Sequence, residues 1–227
     1  MEAELLEASR RYAQKDFLGT LEALGNIDAT DKNHLDLAYY LGLAHSRLGH
    51  WDEALLYLEQ VVTGSDEILR VFQCRLALSL VYSITGRSRL AEYELGRLIA
   101  AGFESVQVLA SMGFASWAQG RQDDAIKWYT KALSLEPENA NALNGLGYIL
   151  ASTGKDIALA VSYCRKAVAL APDNAAYLDS LGWAYFHLGY IAEARSFVTK
   201  AAALSPKIDE ILEHAKTLAS IAERESV

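Results

Sequence analysis

The residues of this 227-residue chain whose types invite chemistry are few: His45 and His50, Cys74 and Cys164, the pair in Gly145-Leu146-Gly147, and the acid doublets Asp52-Glu53 and Asp123-Asp124. A dinucleotide-binding turn needs a third glycine in fixed frame, and it must lie between a strand and a helix so that the backbone can approach a pyrophosphate. Here the third glycine is missing and the pair begins inside a helical pattern, so Gly147 reads as a packing residue. A helical metal pair wants histidines four apart on one face. His45 and His50 are five apart with Gly49 between them, and His45 reads as a side chain packed between helices, while His34, His187 and His214 stand singly. The two cysteines lie ninety residues apart, which makes neither a disulfide framework nor a metal spacing. Cys164 occupies a large apolar slot and reads as a buried thiol, and Cys74 has no histidine near it in sequence. The acid doublets open helical patterns, where carboxylates favour the positive end of the helix. No catalytic constellation emerges, and neither a cofactor nor a metal is expected.

Composition narrows the class further. Hydrophobic residues make up 52% of the chain, too much for a disordered tail and enough for a substantial core. The net charge of −8 is spread along the sequence, so the basic footprint that nucleic-acid phosphates or an anionic membrane surface would require is missing. The longest uncharged stretch, Asn139 to Gly154, has 16 residues with three asparagines and three glycines, too short and too polar to span a bilayer. The start, Met1-Glu2-Ala3-Glu4, lacks the basic and apolar run of a secretory signal. A cytoplasmic location is expected from it, with a periplasmic or lipid-anchored one as the alternative if a leader has been removed.

The elements that carry these residues repeat. Glycines 49, 86, 120, 154 and 189 are spaced by 37, 34, 34 and 35 residues, each between two apolar helical patterns. Seven residues before each stands a small one: Gly42, Ser79, Gly113, Gly147 and Gly182. Five residues after come Ala54, Ala91, Ala125 and Ala194, with Ala160 displaced by one, and Pro137, Pro172 and Pro206 keep the same period. Apolar residues recur at three and four, as amphipathic helices require. A glycine inside a helix costs about 1 kcal/mol relative to alanine, so four at one repeat position imply close helix–helix approach.

This pattern resembles the tetratricopeptide repeat, whose 34-residue rule runs from a large residue through Leu-Gly, an aromatic and alanines to proline. The tightest copies are residues 106–139, 140–174 and 175–208, and looser copies without the proline span 35–71 and 72–105. Residues 1–34 read as a degenerate copy with Tyr12 but no turn glycine, and residues 209–226 as a capping helix with Ile208, Ile211, Leu212, Ala215, Leu218 and Ala222 on one face. The resemblance implies an all-α, right-handed superhelical solenoid over residues 1–227, and the compact copies are similar to those of bacterial tetratricopeptide proteins.

It also implies where partners bind. In such arrays the first helix of each repeat lines a concave groove, and the matching positions here are Tyr39, Leu43, Arg47, Gln73, Leu80, Phe114, Trp117, Asn141, Asn144, Tyr148, Asp179, Trp183, Phe186 and His187. This set is rich in aromatics and amides, which anchor partners and hold peptide backbones. It lacks the lysine–asparagine pair with which the carboxylate-clamp subfamily grips acidic chaperone tails, so such tails are not expected to bind. The leading expectation is a non-enzymatic adaptor that takes a partner peptide or helix in this groove. The alternatives are a self-assembling structural component or envelope accessory factor, and below them a binder of small apolar ligands.

Overall fold

The computed structural model describes residues 2–225, which form thirteen α-helices and no strand. They fall into two compact units divided between Glu104 and Ser105. The first holds α1 (Glu2–Ala13), α2 (Phe17–Leu24), α3 (His34–Leu48), α4 (Trp51–Gly64), α5 (Ile68–Ile84) and α6 (Ser88–Ala100). The second holds α7 (Val106–Trp117), α8 (Gln122–Leu135), α9 (Ala140–Thr153), α10 (Ile157–Leu170), α11 (Ala175–Leu188), α12 (Ile191–Leu204) and α13 (Asp209–Glu225). Short loops join each odd-numbered helix to the next, which makes six antiparallel hairpins followed by a single helix. None of the described helices is long and apolar enough to cross a membrane.

The local chemistry explains where these helices begin and end. The five turn glycines take φ between 67° and 87°, the left-handed conformation that lets the chain leave one helix and start the next. The first hairpin has no glycine there, and Lys15 adopts that conformation itself at φ 64°. The prolines follow the ends of α8, α10 and α12, while the Asn139 and Asn174 carboxamide oxygens accept from the backbone N–H of Ala142 (3.1 Å) and Tyr177 (3.2 Å) to start α9 and α11. Before α3 the chain is tied differently. Asn33 is buried, accepts from the Thr30 amide at 2.6 Å and donates to the Asp28 carbonyl at 3.1 Å, which closes the Asp28–Asn33 loop on itself.

Within hairpins the interior glycines act by their missing side chains. A Cβ at Gly182 would stand 2.6 Å from Val198 and 3.0 Å from the Ala194 carbonyl, and one at Gly147 2.6 Å from Cys164 Sγ and 3.0 Å from the Ala160 carbonyl. Gly42 meets Leu58 and Gly113 meets Tyr129 in the same way. Gly145 faces the other side of α9, where its Cβ would fall 2.3 Å from the Tyr129 ring. The Gly145-Leu146-Gly147 pair therefore seats one helix between two neighbours, and the packing reading of Gly147 extends to Gly145. At the second of the five copies of this position Ser79 stands instead of glycine, buried, with its hydroxyl turned back to the Leu76 carbonyl at 2.8 Å.

Each unit has its own core. Leu58, Val61, Leu78, Val81, Leu95 and Leu98 fill the first, and Arg75 and Glu94 form a largely buried ion pair at 2.5 Å between α5 and α6. Leu109, Leu143, Ile149, Leu178, Ile211 and Leu218 fill the second. Ile211 and Leu218 belong to α13, so that helix covers the last hairpin, its Ile211 packed with Ala175, Leu178 and Ala201. Ile208 precedes α13 and stays 43% exposed, while the Ala222 side chain and Ser226 lie outside the described residues.

Candidate functional site

The candidate groove residues of the first unit divide into three kinds. Leu43 is buried and packs in the core, whereas Arg47 and Leu80 face solvent. Tyr39 and Gln73 are already joined, the phenol donating to the Gln73 side-chain oxygen, and the Arg70 guanidinium lies 5.2 Å above the Tyr39 ring while it pairs with Asp36. Burial pushes the Tyr39 phenol up to about 12, so its hydroxyl stays a donor. These ties link α3 to α5.

The second unit is different. Phe114 and Trp117 on α7, Tyr129 on α8, Asn144 and Tyr148 on α9, Asp179 on α11, and Glu210 with Ile211 on α13 surround a cleft of about 210 Å³. Phe114 is 48% exposed at its mouth, and the Trp117 ring meets Tyr148 edge-on at 5.9 Å. The Tyr148 phenol donates to Glu210 Oε1 at 2.5 Å. Burial holds that phenol far above its usual value, and the Glu210 carboxylate adds to the shift. Asn144 Oδ1 is buried and has no hydrogen-bond partner among the described residues. Asn141 is exposed on the same helix, outside the cleft.

Beside the cleft, α13 occupies part of the predicted groove. His214 is buried, its Nδ1 lies 2.9 and 3.0 Å from the two Asp179 carboxylate oxygens, and its ring stacks on Trp183 at 3.9 Å. Trp183 in turn stacks on Phe186 at 4.9 Å and meets His187 edge-on at 5.0 Å. Asp179, Trp183 and Tyr148 thus hold the last helix, and Asp179 and Tyr148 also line the cleft with Phe114, Trp117 and Asn144. Glu210, Ile211 and His214 were absent from the sequence-derived set. His214 stands 35 residues after Asp179, the repeat period, as Arg70 stands 34 after Asp36, and that offset was the available signal.

Nothing in this arrangement pairs a nucleophile with a base. Both cysteines are buried free thiols, and burial pushes each up to about 12. No group of three or more histidine, cysteine or carboxylate side chains that could hold a metal ion occurs among the described residues. The cleft can do what convergent aromatic rings and acceptors do, which is to hold a side chain or short segment.

Sequence profiles described as tetratricopeptide repeat match residues 34–69 and 155–207, and one described as TPR repeat matches residues 116–154. Among curated proteins none matches the chain. Solved structures share the fold. A thermophilic TPR protein from Thermus thermophilus is 19% identical, with TM-score 0.66 over 82% of this chain and 98% of that one. A tetratricopeptide repeat protein from Parabacteroides merdae is 14% identical, with TM-score 0.72 over 95% of this chain and 83% of that one. YrrB, described as a TPR protein with an unusual peptide-binding site, is 16% identical, with TM-score 0.55 over 88% of this chain and 97% of that one. The glycine register, the helical hairpins and the profile matches agree, and the chain belongs to the tetratricopeptide repeat family.

Proposed function

We propose that this protein is a non-enzymatic adaptor that binds a segment of a protein partner on the first helices of its second unit. The observation that carries this reading is the cleft between α7, α9, α11 and α13, where Phe114, Trp117 and Tyr148 present aromatic surface next to unfilled space. Aromatic side chains of this kind give large contact area at small entropic cost and dominate binding energy at interfaces. YrrB, of similar fold, is described as having a peptide-binding site, which supports the same class of ligand here.

The test uses Phe114→Glu, because Phe114 is 48% exposed at the mouth of the cleft. Trp183 is unsuitable, since its ring carries His214 and a charge there would loosen α13. Proteins captured from native cell extract by the wild-type chain should fall at least about tenfold in the variant, as expected of a central interface residue. The variant's melting temperature should stay within about 2 °C of wild type, since exposed positions change stability little. Capture of the same proteins by both forms would place binding on another surface.

A further inference from the structure

We propose that the cleft of the second unit receives the guanidinium of an arginine presented by the partner segment, a specificity that rests on the adaptor reading above. The polar groups around the cleft are acceptors. The Asp179 carboxylate, its side chain only 6% exposed, and the Glu210 carboxylate both line it, and no lysine or arginine among the described residues does. The donors that could satisfy them from within are already committed. The Tyr148 hydroxyl hydrogen goes to Glu210, and the Ser180 hydroxyl donates to the Ala176 carbonyl at 2.9 Å. The His214 Nδ1 lies 2.9 and 3.0 Å from the two Asp179 oxygens and holds the carboxylate in place at the edge of the cleft. Asn144 adds a buried amide oxygen with no partner among the described residues.

The complement of acceptors between aromatic walls is a flat, donor-rich cation. Guanidinium is planar, carries five N–H donors and stacks on aromatic faces, whereas an ammonium is a compact, strongly hydrated point charge. Phe114, Trp117 and Tyr148 supply the faces. Size agrees as well. About 210 Å³ is below the roughly 300–1,000 Å³ of pockets for drug-sized ligands, and it suits a single long side chain. An acidic side chain would add a third negative charge beside Asp179 and Glu210, and a purely apolar one would leave the buried Asn144 oxygen unpaired, both costly arrangements.

The experiment selects random dodecapeptides displayed on phage against the full chain, then titrates fluorescein-labelled winners by anisotropy. The expected winners share an arginine. Its replacement by citrulline, equal in shape but uncharged, should weaken binding at least about tenfold, and replacement by lysine should also weaken it. In Glu210→Gln/Asn144→Leu the arginine-to-citrulline difference should shrink below about threefold, the sign of a direct coupling. Asp179→Asn is a second variant, read only if its helical circular dichroism is kept; Glu210 is exposed and carries the test otherwise. Winners without arginine, or citrulline peptides that bind equally well, would overturn the arginine assignment and leave the adaptor reading intact. Failure of the wild type to select any peptide would overturn both.

Discussion

Lys15 bears strain that a one-atom side chain would relieve. Its backbone holds φ 64° with its N–H donating to the Tyr12 carbonyl at 2.9 Å, and the residue itself is exposed. The left-handed conformation costs a non-glycine residue about 1–2 kcal/mol, and glycine returns about 0.4–1 kcal/mol of that as unfolded-chain freedom. Lys15→Gly should therefore stabilise the chain by about 0.5–1 kcal/mol in urea unfolding. An unchanged midpoint would show that the first hairpin does not unfold with the region that the probe reports. Individual residues were legible where a turn or a cap sets the conformation, as at Asn139 and Asn174. They were less so where the chain reverses. A five-residue spacing places His45 and His50 on different faces of an unbroken helix, yet the left-handed Gly49 folds the chain back and sets their Nδ1 atoms 3.1 Å apart. His45 also stacks on Tyr57 at 5.8 Å, so its reading as a packing residue holds while its partner was missed.

Helix pairs in this protein are seated by absent side chains. Alanine at Gly147 would gain about 1 kcal/mol of helix propensity, but its Cβ would meet the Ala160 carbonyl at 3.0 Å and Cys164 Sγ at 2.6 Å. Backbone cannot rotate away as a long side chain can, and overpacking of this kind costs about 1–3 kcal/mol. Gly147→Ala should thus lower stability by up to about 2 kcal/mol, whereas Gly96→Ala, with nothing within 4 Å, should raise it by about 1 kcal/mol. Thermal unfolding of the two variants checks the contrast, and two equal gains would remove close approach as the reason for Gly147. At this scale the sequence was most readable, because a 34-residue recurrence averages out local irregularities. The role of α13 was only half readable. Its apolar stripe announced a covering helix, but the polar residues with which it enters the site, Glu210 and His214, meet partners 62 and 35 residues away.

At the level of the whole chain, acid should act through histidines before it reaches the carboxylates. Burial holds the His45 imidazole below its ordinary 6.5, with His50 pushing the same way and Glu53 against it. Burial likewise lowers His187, helped by His214. Both groups are neutral in folded and unfolded chains well above pH 6.5, so they contribute no pH dependence there. Below 6.5 the unfolded chain takes up protons that the folded one resists, and stability falls as the pH drops towards the lower folded-state values. The urea midpoint should decrease between about pH 7.5 and 5.5, and His45→Gln/His187→Gln should flatten that decrease. A slope equal to wild type would assign the loss to other groups. The division between Glu104 and Ser105 was not legible, since the same period runs across it. The tight copies that keep proline all lie on its C-terminal side, which is also where the cleft formed.

One wall of that cleft, Glu210 and Ile211, belongs to the same helix that closes the last hairpin. If the cleft is occupied as proposed, its occupancy and the docking of α13 would therefore be coupled equilibria. Whatever loosens the helix would then weaken such a ligand, and by reciprocity the ligand would hold the helix down by the same free energy. A partner segment would then act as a clasp on the second unit, and the local opening of α13 would become a gauge of how much of the protein is occupied.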